Sequence, residues 1–191
     1  MTTARNSTGS GHRMEFRVLG PVEVLNAGER LDLGGRKQKT VLAMLIANAG
    51  RTVSTDRLIE ATYGDEAPAG ARRTVQTYVS NLRSGMGEMI TSAGSGYQFQ
   101  ALDSTVDAEE FMARMEAGRA MAEDDPASAS IVLAEALALW RGHPFQDAEA
   151  REELDAEITR FNELRLVALE SRIDADLAAG RDRELVGELR R

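Results

Sequence analysis

Arg73, Gln76, Thr77, Ser80 and Asn81 recur every three or four residues, the spacing that gathers side chains on one face of a helix. Arg and Gln can pair in bidentate fashion with purine edges, at about 1–3 kcal/mol of discrimination per good pair. Ser, Thr and Asn can reach bases or phosphates. This is readout chemistry, not bond-making chemistry. Arg72 and Arg83 flank the same face and, as permanent cations, suit phosphate oxygens. A merely solvated helix face would have similar polarity, so the surrounding elements decide between the two readings.

Those elements have a recognisable order. Val75, Tyr78, Val79, Leu82 and Met86 fall at i, i+3, i+4, i+7 and i+11, which predicts a helix from about Gly70 with one continuous apolar face. Its polar face spans roughly 16 Å at ~1.5 Å per residue, enough to lie along a major groove. A shorter helix precedes it. Ser54 is a good N-cap, Asp56 suits the positive end of the dipole, and Leu58, Ile59 and Ala61 supply the apolar side. Ile90-Thr91, Gly94-Ser95-Gly96 and Tyr97-Gln98-Phe99 then predict a hairpin. Helix, recognition helix and wing make a winged-helix DNA reader. Ser95 and Gly96 at the wing, with Thr55 flanking, join the candidate contacts, whereas Tyr97 reads as core.

Upstream, short alternating runs from Phe16 to Leu33 broken by Gly20-Pro21 and Asn26-Ala27-Gly28 predict a small antiparallel sheet. A helix follows from Arg36 to Asn48, with Val41, Leu42, Leu45 and Ile46 on one face. Arg36, Lys37 and Lys39 begin that helix against its dipole and read as surface charge. From Val106 the pattern is helical throughout: 107–123, 127–140, a long stretch over 149–179, and a further start at 182. Helices at this spacing, with Ala at close-packing positions, point to a tetratricopeptide-like array. Trp140 reads as an anchor holding one hairpin to the next.

The formal charge of −8 argues against nucleic acid until the chain is divided. Residues 14–102 carry ten Lys/Arg against nine Asp/Glu, residues 103–191 eleven against 22. The acidity belongs to the second half. Local clusters matter more than the whole-chain sum, because charges beyond about 8 Å are largely screened. With no cysteine, thiolate zinc sites, cysteine nucleophiles and disulfides are excluded. No apolar run approaches the ~20 residues of a membrane span. Residues 1–13 lack an apolar segment and read as a disordered leader rather than a signal peptide.

Enzymatic readings fail on their details. "GGRKQKT" lacks the glycine that a phosphate loop needs before its lysine. Gly94-Ser95-Gly96 is followed by Phe99 where a dinucleotide fingerprint needs glycine. His12 and His143 have no partner at metal-ligand spacing, and adjacent carboxylates such as Glu109-Glu110 point apart on a helix. No catalytic residue, cofactor or metal is expected.

The runs "MEFRVLGPVEV", "LGGRKQKTVLAMLI", "VSTDRLIEATYGDEAP" and "TVQTYVSNLR" resemble the N-terminal half of the Streptomyces antibiotic regulatory protein family. "AEALALWRGHPF" and "FNELRLVAL", followed by "ESRIDADLAAGRDRELVGEL", resemble that family's bacterial transcriptional activator domain. The resemblance implies an α+β OmpR-type winged helix-turn-helix over 14–102 and an all-α, tetratricopeptide-like domain over 105–191. It implies a cytoplasmic, nucleoid-associated activator without enzymatic activity. Such a protein binds double-stranded DNA at tandem direct repeats as a homodimer or tandem protomers, and recruits RNA polymerase through its sigma factor to antibiotic biosynthesis genes. The chain ends inside what the family pattern makes a longer helical domain, and no receiver domain is present. The rival reading is a protein-interaction module whose helical half binds a partner and whose winged helix is a scaffold.

Overall fold

The computed structural model describes residues 14–149 and 152–181. The leader 1–13 and the helix expected from 182 lie outside them.

Two small sheets, one of four strands and one of three, accompany the first helices. β1 (Met14–Arg17), β2 (Glu23–Asn26) and β3 (Glu29–Arg30) form an antiparallel meander. The alternation in Phe16-Arg17 and Val24 sets its register, with Phe16 opposite Val24 and both fully buried. α1 (Arg36–Ala47) follows, buried from Thr40 to Ile46. β4 (Thr52–Ser54) then leads directly into α2 (Thr55–Tyr63), where the Ser54 hydroxyl accepts the Arg57 N–H as expected of an N-cap. A turn of 3₁₀ helix at Gly64–Glu66 and a short loop bring the chain to α3 (Ala71–Met86). Val75, Val79, Leu82 and Met86 are buried, and Tyr78 is half-buried at the margin. β5 (Ile90–Ala93) and β6 (Gly96–Phe99) close the wing, with β4 as its third strand in the order β4-β6-β5.

Two strands differ from the sequence reading. β4 was not expected, and β7 (Thr105–Val106) pairs in parallel with β1 where the sequence reads as the onset of helix. Both are too short for alternation to show. The third run of the meander is also shorter than its apolar residues imply, with only the Leu31 N–H continuing onto the Val24 carbonyl.

The helical half comprises α4 (Asp107–Met121), α5 (Pro126–Leu137) and α6 (Glu152–Ala178), α5 packing against both its neighbours. Asp125 caps α5 by accepting the Ser128 N–H, with Pro126 in the first turn. Gly118 sits so close to Leu133 that a Cβ there would lie 2.6 Å from its Cγ. Trp140 meets Phe111 of α4 edge-on at 5.4 Å, and the Arg165 guanidinium of α6 lies 4.8 Å over its ring. It bridges helices as expected, though half-buried rather than central.

The two halves are joined by a strap at 141–149. The N–H groups of Arg141, Phe145 and Gln146 donate to the carbonyls of Leu19, Val18 and Gly20 at 2.7, 2.9 and 3.1 Å. In return, Asp107 at the start of α4 accepts the N–H groups of Val18 and Leu19 at 2.7 and 3.1 Å. The Arg141 guanidinium binds Glu23 at 2.9 Å and Asp107 at 3.3 Å. Asp147 takes the Val22 N–H and pairs with Lys39, and Thr40 accepts the Glu149 N–H. Burial raises the Asp107 pKa, and the two N–H groups and Arg141 oppose that shift without cancelling it. Phe16 and Phe99, ring centroids 4.8 Å apart, tie the meander to the wing beneath this joint.

Candidate nucleic-acid interface

α3 offers a polar face because its apolar residues are spent on the core, and its two flanks are tied to different elements. At roughly 100° per residue, Arg83 and Arg72 turn toward one flank and Asn81 toward the other. Arg83 is a brace to the wing. Its Nε donates to the Ile90 carbonyl at 2.8 Å, its NH2 to Ser92 Oγ at 2.9 Å, and its guanidinium lies 5.3 Å over the Tyr97 ring. Arg72 pairs with Asp56 in the first turn of α2. On the opposite flank Asn81 donates to the Oε1 of Gln38, a buried side chain of α1, at 3.2 Å.

Between these flanks Arg73, Gln76, Thr77 and Ser80 are exposed along the helix. Thr77 returns its hydroxyl hydrogen to the Arg73 carbonyl, leaving its oxygen able to accept. From Ala67 to Gly87 the chain has no carboxylate, so the strip and both flanks present only neutral or cationic groups of α3.

The wing departs from the sequence reading in two places. Thr55 is 5% exposed, and its N–H and hydroxyl both donate to the Ser95 carbonyl at 3.2 and 2.9 Å. It fixes the wing turn to α2 and does not face outward. Gly96 is buried too. It pairs with Ser54, and a Cβ there would meet the Val53 carbonyl oxygen at 2.0 Å. The open tip is Gly94-Ser95, where Gly94 adopts φ +55. Tyr97 is half-buried under Arg83. Of the three basic residues at the start of α1, Arg36 is exposed, while Lys37 lies 4.0 Å over the Tyr63 ring and Lys39 holds Asp147.

Sequence reasoning missed the partners rather than the face. Asp56 reads from sequence only as a helix-dipole residue, while Gln38 and Ser92 carry no local signal at all, because their partners lie 43 and nine positions away.

Comparison with known proteins identifies both halves of the chain. Residues 28–99 match the family model described as "Transcriptional regulatory protein, C terminal", and residues 106–191 match "Bacterial transcriptional activator domain". The chain is 34% identical over 185 residues to the transcriptional regulatory protein EmbR of Mycobacterium tuberculosis, covering 93% of this chain and 48% of that protein. It is 30% identical over 189 residues to the regulatory protein DnrI of Streptomyces peucetius, covering 92% and 70%. The solved structure of M. tuberculosis EmbR in complex with a low-affinity phosphopeptide superposes with a TM-score of 0.86 at 33% identity, over 93% of this chain and 49% of that one. This chain thus spans about half the length of EmbR. No described helix is long and apolar enough to cross a membrane.

Proposed function

The chain belongs to the Streptomyces antibiotic regulatory protein family of transcriptional regulators, and from that premise we propose that it is a sequence-specific DNA-binding activator. The observation that carries the proposal is the exposed strip of α3, Arg73, Gln76, Thr77 and Ser80, held between the wing and α2. The winged helix over 14–102 places this strip in a major groove, and the tip at Gly94-Ser95 lies along the adjacent backbone. Arg73 and Gln76 read base edges, and Arg72 meets a phosphate.

The helical domain from 105 positions a second protomer and RNA polymerase with its sigma factor at promoters of antibiotic biosynthesis genes in the nucleoid. Successive recognition helices on direct repeats would then sit about one turn of DNA, ~10 bp, apart. Arg73→Ala is expected to weaken binding to the specific site by about 1–3 kcal/mol, whereas Arg72→Ala chiefly lowers the salt slope, by about one. Anisotropy titrations at several salt concentrations separate the two, and unchanged affinity in both variants would refute this docking.

The test of the proposal as a whole is selection from random-sequence DNA with the 191-residue chain at two salt concentrations. Enrichment of a direct repeat with turn-length spacing supports tandem binding and supplies the target. No enrichment at either salt favours the interaction-module reading.

A further inference from the structure

The pairing of Arg72 with Asp56 sets the one carboxylate of the α2 start against the cation expected to meet DNA. Asp56 is in the first turn of α2, next to Thr55, which grips the wing turn through Ser95. It therefore sits on the same rim as the α3 strip. Its side chain is 79% exposed and that of Arg72 55%, so burial does not force the pair together, and its worth to stability is small. Yet while it holds Arg72, a carboxylate on this rim withholds that cation from an approaching polyanion.

Resting on the DNA-binding reading above, we propose that Asp56 is a specificity-determining residue: it occupies Arg72 and so lowers affinity for DNA that the α3 strip does not fit. On a matching site, base contacts bring the backbone close enough for a phosphate to displace Asp56 from Arg72. On a mismatched site that gain is missing, the ion pair persists, and one phosphate contact is withheld. Asp56 thus acts on the ratio of specific to non-specific binding rather than on specific affinity alone.

The experiment compares the wild-type chain with Asp56→Asn, Asp56→Glu, Arg72→Ala and the double variant Asp56→Asn/Arg72→Ala. Each is titrated against the duplex enriched by selection and a scrambled duplex of equal length, over a range of salt. Asp56→Asn is expected to bind the scrambled duplex about two- to fivefold tighter, with a salt slope steeper by up to about 0.9. The specific duplex gains less, so the ratio falls. Asp56→Glu restores the wild-type ratio, and in the Arg72→Ala background the asparagine has no effect. An unchanged scrambled affinity overturns the proposal, as does an equal gain without Arg72, which would reduce Asp56 to general charge repulsion. A wild-type chain that binds neither duplex with a salt slope overturns the DNA-binding reading itself, an outcome distinct from the other two. Melting curves separate any loss of the dipole interaction from the change in ratio.

Discussion

Gly96→Ala is expected to lower unfolding stability by about 3 kcal/mol, the upper range for forcing a methyl into a filled site, and to abolish specific DNA binding at salt where the wild type binds. The reason is space. A Cβ at 96 would lie 2.0 Å from the Val53 carbonyl oxygen and 2.7 Å from the Ser54 Cα, and both are backbone that no rotamer change can move. Relief requires β6 to lift off β4, across the register that pairs Ser54 with Gly96. That movement would break the Thr55 grip on Ser95 and carry the wing away from Arg83. Gly94→Ala is the control. Nothing lies within 4 Å of its added Cβ, and only its φ of +55 resists the change, which costs about 1 kcal/mol. Urea unfolding followed by circular dichroism ranks the two. A Gly96→Ala chain as stable as Gly94→Ala would mean that the strands do not approach so closely.

That contrast shows what could be read in advance. The winged helix was legible because α3 is long and periodic: Val75, Val79, Leu82 and Met86 define its buried face without outside information, and Ser54 marks the start of α2. The strip from Arg73 to Ser80 follows as the complement of that face. Gly96 reads from sequence as a wing contact beside Ser95, whereas it is the close approach of β6 to β4, since a sequence shows that a glycine is present but not whether it serves contact, torsion or space. Thr55 and Asn81 have the polarity of contacts, yet each hydrogen-bonds a residue about 40 positions away, a distance at which no periodicity operates. The strap at 141–149 was hidden for the same reason. "WRGHPF" is recognisable as a string, but its backbone hydrogen bonds run to residues 18–20.

The strap makes Asp107 the position where one side chain most affects both halves. Asp107→Ala is expected to cost about 3 kcal/mol of stability, because it leaves the buried N–H groups of Val18 and Leu19 without acceptors, at about 1–3 kcal/mol each. Relief from burying a carboxylate offsets part of that sum. Arg141 keeps Glu23, so it is not stranded. Asp107→Asn retains one acceptor oxygen and should lose about half as much. The asparagine variant also isolates the charge. Burial raises the folded pKa of Asp107 above its unfolded value, so the folded chain holds that proton more tightly than the unfolded chain does. The stability this contributes is complete below the unfolded value, about 4, and disappears as pH rises through the folded value. Asp107→Asn cannot ionise and lacks this loss, so its deficit against the wild type should shrink on going from pH 4 to pH 7. Chemical denaturation across that range measures it. A deficit that grows with pH would mean that the N–H groups and Arg141 outweigh burial, and that the joint is held by the carboxylate charge as well as by its oxygens.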